Sequence, residues 1–195
     1  MKEYFISELK STKRKGIKAL IEYLENSDFF TAPASTAYHG AYPGGLLEHS
    51  INVLNCLRFE YANLQDSDYI LPEIPEESII ISALLHDVCK ICFYRKTIKW
   101  KKNEHNDWMQ YDGYEIEDSF PIGHGEKSVI MLLKLGLDIN PCEMLAIRYH
   151  MGFWGESNTE FKIAMKSAIK MCPLVVLLQQ ADCAATMMFE KEIEI

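Results

Sequence analysis

Six side chains able to bind a cation, His49, His86, Asp87, His124, His150 and Asp182, each lie inside or beside an apolar segment with helical character. Such segments normally become buried helix faces, and an imidazole or carboxylate buried without a partner is costly. Five separate segments each carry one such residue, or an adjacent pair. A shared cation compensates all of them at once, and this restricts the fold to helices that converge on one point.

The spacing of apolar residues supplies those helices. Ile17, Leu20, Ile21 and Leu24 predict one within the opening ~26 residues. Ser27-Asp28 breaks it, and Phe29 to Pro33 reads as a turn. A loop of small and aromatic residues follows, from Ser35 to Gly45. The next helix carries Leu46, Leu47, Ile51, Leu54 and Leu57 on one side, with His49 near its start. Pro72 and Pro75 bracket a boundary, and Glu76-Glu77 suits the positive end of a helix. That helix, Ile79 to Leu85 and on to His86-Asp87, is apolar nearly all round and is expected at the centre. Between about residues 92 and 117 the pattern changes to alternation around a polar stretch with His105 at its tip, which predicts an inserted β-hairpin. Helical spacing resumes at Val129, Leu132, Leu133 and Leu135 and stops at Gly136. Further helices are expected over Glu143–His150, over Phe161–Lys170, and from Pro173 as first helical residue. The expected architecture is all-α, a single domain over residues 1–195, with one small β-hairpin.

The 48% apolar and 25% charged residues are globular values, so a sizeable core is available. A net charge of −8 argues against capture of duplex nucleic acid, which needs a basic face. A small anionic substrate stays open, because divalent cations reverse the local sign. Six scattered cysteines show no framework spacing, and Cys89-x-x-Cys92 has no second pair to build a structural zinc site. No export signal precedes the first helix, and Gln179, Gln180 and Asp182 interrupt the most apolar stretch. These features predict a cytoplasmic chain with free thiols and no membrane span.

The run Tyr42-Pro43-Gly44-Gly45-Leu46-Leu47-Glu48-His49, then Leu85-His86-Asp87-Val88-Cys89-Lys90, then Ala181-Asp182 resembles the HD superfamily of metal-dependent phosphohydrolases. The likeness spans about residues 35 to 190. It implies an HD-domain helical bundle in which His49, His86, Asp87 and Asp182 hold a first metal. His124 and His150 resemble the second-site ligands of binuclear members, with Asp87 bridging; the alternative is that both contact substrate phosphate above a single ion. Six ligands are too many for one catalytic ion with open positions, which favours two. The nitrogen and oxygen donors suit Mn, Fe, Mg, Ni or Co better than calcium. The Pro-Gly-Gly-Leu-Leu-Glu-His run is similar to that of HD-domain 3′-5′ exoribonucleases, which also carry an OB-fold module for which this chain leaves no room.

The expected activity is hydrolysis of a phosphate ester of a nucleotide or similar small molecule by a metal-activated water. The alternatives are a 3′-5′ exonuclease or phosphodiesterase on single strands, and a non-catalytic metal-binding regulatory module. Asp87 is the candidate for holding the metal pair and accepting the water proton. Lys90 either neutralises charge at the site or is a solvated helix-end lysine. Arg148 either meets substrate or forms a surface salt bridge, and His39 either contacts phosphate or serves its loop. Trp154, with Phe153 and Tyr42, is a candidate for stacking a nucleobase, against the plainer role of covering the core.

Overall fold

The computed structural model describes residues 1–37, 39–66, 72–153 and 158–190. Its centre is the helix Glu76–Leu85, in which every residue from Ser78 to Leu85 is buried. A helix without a polar face must be covered on all sides. Four others do this: Lys2–Ser11 (α1), Gly45–Gln65 (α3), Pro141–Tyr149 (α6) and Leu174–Ala184 (α8), with the central helix as α4. Leu54, Leu57, Ile81, Leu84, Leu85, Leu174 and Leu178 are sealed between them. Each such side chain contributes about 1.5–3 kcal/mol by leaving water.

The first 26 residues form two helices rather than one, α1 and Ile17–Asn26 (α2). Lys13 (φ 52°) and Gly16 (φ 91°) turn the chain between them. Gly16 is required there twice over, because a Cβ would also meet the Gly136 carbonyl oxygen at 2.2 Å. Thr159–Met171 (α7) and α6 each begin two residues before the apolar periodicity does. Asn140 and Asn158 cap them, accepting from the Glu143 and Phe161 amides, so cap chemistry sets the start. Pro173 is the residue before α8 rather than its first.

The insertion is a two-stranded antiparallel hairpin, Tyr94–Lys102 (β1) with Trp108–Ile116 (β2), in register from Tyr94↔Ile116 to Lys102↔Trp108. Asn103 closes its tip by accepting from the His105 and Asp107 amides, leaving His105 exposed. The other strand end is anchored: Tyr94 Oη donates to Ala34 O and Lys99 Nζ to Thr36 O. This fixes the loop ahead of α3. His124–Lys134 (α5) then follows and ends at Gly136 (φ 76°).

Cys142 and Cys172 are joined as a disulfide, Cα atoms 5.7 Å apart, which corrects the expectation of free thiols throughout. The pair is 30 residues apart in sequence and meets only because the start of α6 packs beside the end of α7. Among the described residues, no helix is long and apolar enough to cross a membrane.

Candidate metal centre

Three buried imidazoles are held in the same tautomer by three separate acceptors. His86 ends α4 and its Nδ1 donates to Ala83 O at 2.8 Å. His150 ends α6 and its Nδ1 donates to Ile147 O at 2.7 Å. In both, a helix-terminal carbonyl that lacks an intrahelical donor supplies the acceptor. His49 Nδ1, in the first turns of α3, donates to Glu190 Oε1 at 2.8 Å. With Nδ1 carrying the proton, each Nε2 presents a lone pair. His49 Nε2 and His86 Nε2 face each other at 3.2 Å, and His150 Nε2 is buried without a hydrogen-bond partner. Lone pairs opposed in this way repel unless a positive species lies between them.

Two carboxylates close the arrangement. Asp182, on α8, places Oδ1 3.2 Å from His49 Nε2. Asp87 places Oδ2 3.4 Å from His86 Nε2 and 3.7 Å from His49 Nε2, and turns Oδ1 toward His150 Nε2 at 3.5 Å. Adjacent residues of a helix point ~100° apart. The backbone leaves helical geometry at Asp87 (φ −110°, ψ 21°), and this lets the neighbours His86 and Asp87 face one point. Donor spacings of 3.2–3.7 Å are those of ligands sharing an ion through bonds of about 2.0–2.2 Å.

The electrostatics show the same demand for positive charge. Burial alone would raise the Asp87 carboxyl, yet the Lys90 and His86 charges hold it well below the usual range. Burial would lower His49, but hydrogen bonds to Asp182 and Glu190 outweigh it and push it up to about 9, so Nε2 holds a proton wherever a cation does not take its place. Lys90 is drawn into the site, its Nζ 2.6 Å from Asp87 Oδ2 and nearly enclosed. Desolvation would depress it, and the Asp87 charge raises it above its ordinary value.

His124 opens α5 and meets this cluster from the other side. Its Nδ1 is 3.4 Å from Cys89 Sγ, and Asp87, Cys89 and His124 offer donor atoms all within 4.8 Å of one another. Gly125 allows the approach, since a Cβ there would meet the Arg148 carbonyl oxygen of α6 at 2.2 Å. His150 groups with His86 and Asp87, so Asp87 belongs to both donor groups. Between His39, His49, Asp87, Lys90, His150 and Asp182 lies a cavity of about 310 Å³.

The other sequence candidates fall as follows. His39 lines this cavity, its ring centroid 5.3 Å from that of His49. Arg148 is engaged elsewhere: it pairs with Glu126 at 2.5 Å and lies over the rings of Tyr149 and Phe161. It borders a separate cavity of about 190 Å³ beside His124. Tyr42 donates to Glu48 at 2.8 Å, and Trp154 lies outside the described residues.

Two residues beside the site were not proposed from sequence as part of it: Glu190, and Cys89, which was weighed only as half of an unpaired Cys-x-x-Cys. Glu190 looks like part of a charged run, Glu190-Lys191-Glu192. A π-helical turn over Ala185–Phe189 carries the chain back so that Glu190 reaches His49 and Asn52. Partners of this kind fix ligand orientation, and losing one typically weakens metal binding by about 10–100-fold. Glu190→Ala is therefore expected to lower affinity by that factor in a chelator-competition titration, with the circular dichroism spectrum retained. Unchanged affinity would remove Glu190 from the site.

A family model for the HD domain matches residues 46–187, which covers the central helix, the hairpin and every donor described except Glu190 and His39. The chain belongs to the HD-domain family. This HD-domain protein is also 41% identical, over 86 residues or 44% of its length, to the dihydroneopterin 2′,3′-cyclic phosphate phosphodiesterase of Methanocaldococcus jannaschii. The match spans about a third of that relative, 31% of its length. No solved structure matches. HD domains are helical, metal-dependent phosphohydrolases that bind divalent ions, and the His86-Asp87 dipeptide lies within the matched residues.

Proposed function

We propose that this HD-domain protein hydrolyses a phosphodiester of a nucleotide or nucleotide-like small molecule, with His49, His86, Asp87 and Asp182 holding one divalent ion and Asp87, His124 and His150 holding a second. The observation that carries the reading is the convergence of three buried Nε2 lone pairs on two carboxylates, with Lys90 2.6 Å from the shared one. His150 Nε2 is the sharpest part of the fit, being a buried acceptor with nothing to accept from. Bound divalent ions would supply an activated water and neutralise the non-bridging oxygens.

The chain's own residues do the remainder. Asp87 ties the two donor groups together, one oxygen toward each. Lys90 keeps that carboxylate oriented and adds positive charge at the cavity wall, where a phosphoryl group would sit. His39 lines the cavity beside His49 and is the proposed hydrogen-bond partner of a leaving oxygen. A volume of about 310 Å³ is at the small end of ligand pockets, and with a net charge of −8 it favours a small ester over a polymer. The relative is named for a cyclic phosphodiester, the same bond type.

The test is turnover of bis-p-nitrophenyl phosphate, p-nitrophenyl phosphate and 2′,3′-cyclic nucleotides with manganese, magnesium, iron, nickel and cobalt compared. Diester and cyclic-nucleotide turnover is the expected result. Turnover of the monoester alone would move the assignment to a phosphomonoesterase. Bound metal with no turnover on any of these would replace the enzymatic reading with a regulatory one.

A further inference from the structure

The Cys89 thiol is fully buried, yet it does not face the apolar core. Its Sγ lies 3.4 Å from His124 Nδ1 and 3.9 Å from Asp87 Oδ1. A thiol is a weak donor, and 3.9 Å to a carboxylate oxygen is a poor hydrogen bond. Both distances do match neighbours around one ion with a sulfur bond of about 2.3 Å and nitrogen or oxygen bonds of about 2.0–2.2 Å. The sulfur's position is set by α5, because the Cys89 amide donates to Ser128 Oγ at 3.2 Å. The same helix carries His124, so thiol and imidazole arrive as a unit.

A second buried donor meets the same carboxylate oxygen. His150 Nε2, fully buried and without a hydrogen-bond partner, faces the same Asp87 Oδ1 at 3.5 Å. Asp87 Oδ1 thus has the His150 Nε2 at 3.5 Å and the Cys89 sulfur at 3.9 Å. Asp87, Cys89 and His124 form one closed donor group, and His150 reaches it through Asp87, which it shares in the neighbouring group with His86.

We propose that Cys89 is a sulfur ligand at the second cation position, beside Asp87 and His124, and that it biases the site toward zinc, cobalt, nickel or iron over magnesium and manganese. This rests on the metal-dependent reading above. Thiolate is a softer donor than imidazole or carboxylate, and oxygen-preferring magnesium and manganese gain little from it. On binding, the S–H bond breaks, its proton passes to solvent, and the sulfur pair forms the bond to the ion. No oxidation is involved.

The experiment is titration of the metal-stripped full chain with cobalt(II) alone, followed by absorption spectroscopy. Wild type is expected to show visible cobalt bands together with a near-ultraviolet sulfur-to-cobalt charge-transfer band. Cys89→Ser should lose the charge-transfer band and keep visible absorption from the first position. Cys92→Ser and Cys183→Ser, at the exposed free thiols, should retain both features. In Cys89→Ser the preference for zinc over magnesium should fall about tenfold or more. X-ray absorption on wild type alone removes dependence on the variant's folding, since a sulfur shell at about 2.3 Å is expected. Visible cobalt bands without a sulfur band or shell would overturn the role of Cys89 and leave the metal site standing. Failure of cobalt to bind at all would overturn both.

Discussion

Asp87→Asn is expected to lower kcat/KM for diester hydrolysis by at least about 10³-fold, the equivalent of roughly 4 kcal/mol of transition-state stabilisation. The substitution keeps the volume but removes the charge that both donor groups share. It also has a structural consequence that a mere ligand would not. Lys90 Nζ is 2.6 Å from Asp87 Oδ2 and almost enclosed, and removing one member of such a buried pair costs about 3–5 kcal/mol. Urea melts of the metal-stripped protein should therefore show Asp87→Asn destabilised. Asp87→Asn combined with Lys90→Met should recover much of that loss while activity stays absent. Turnover within tenfold of wild type would displace Asp87 from the centre. A double variant as unstable as the single one would show that Lys90 and Asp87 are not coupled.

The fold was legible because its signals are local. Apolar spacing marks α3, α4 and α5, short alternating stretches mark the hairpin, and a run apolar nearly all round identifies the helix that must be central. Boundaries were less legible where caps set them, as at Asn140 and Asn158, since a cap is chemistry of one residue and not of a pattern. The site's donors stood out as ionisable residues in apolar surroundings. Glu190 lacked that contrast, because a glutamate in a charged run looks solvated until a π-helical turn folds it under His49. Cys89 lacked it for the opposite reason: a cysteine among valine and isoleucine looks like core, and only packing against α5 shows that its sulfur faces His124. The Cys142–Cys172 pairing was invisible because it depends on how α6 and α7 cross. For Arg148 the residue type allowed two partners, and the helix geometry gave it to Glu126.

The second large effect lies away from the cavity, at the opposite end of α6 from His150. Glu143 is completely buried and accepts from Arg14 through both oxygens, at 2.8 and 3.0 Å. Ser78 Oγ at 2.7 Å and the Asn140 amide at 2.8 Å complete its partners. Arg14 also donates to Asp138 O at 2.9 Å. One carboxylate thus joins the α1–α2 connection, the start of the central helix and the cap of α6. Arg14→Met would leave that charge buried with only neutral donors, and the expected cost is about 3–5 kcal/mol. For a chain of this size this corresponds to a fall in Tm of roughly 10 °C or more. Glu143→Leu together with Arg14→Met should be much less harmful than Arg14→Met alone, because a charge-free pair of similar volume avoids the desolvation cost, although the loss of the capping box retains about 1 kcal/mol of damage. The donor atoms of the metal centre are untouched in both, so affinity for the divalent ion, measured well below the melting range, should stay within a few-fold of wild type. A stable Arg14→Met would show that the Ser78 and Asn140 donors suffice to hold Glu143. A matching loss of metal affinity would show instead that this network sets the register by which α6 delivers His150.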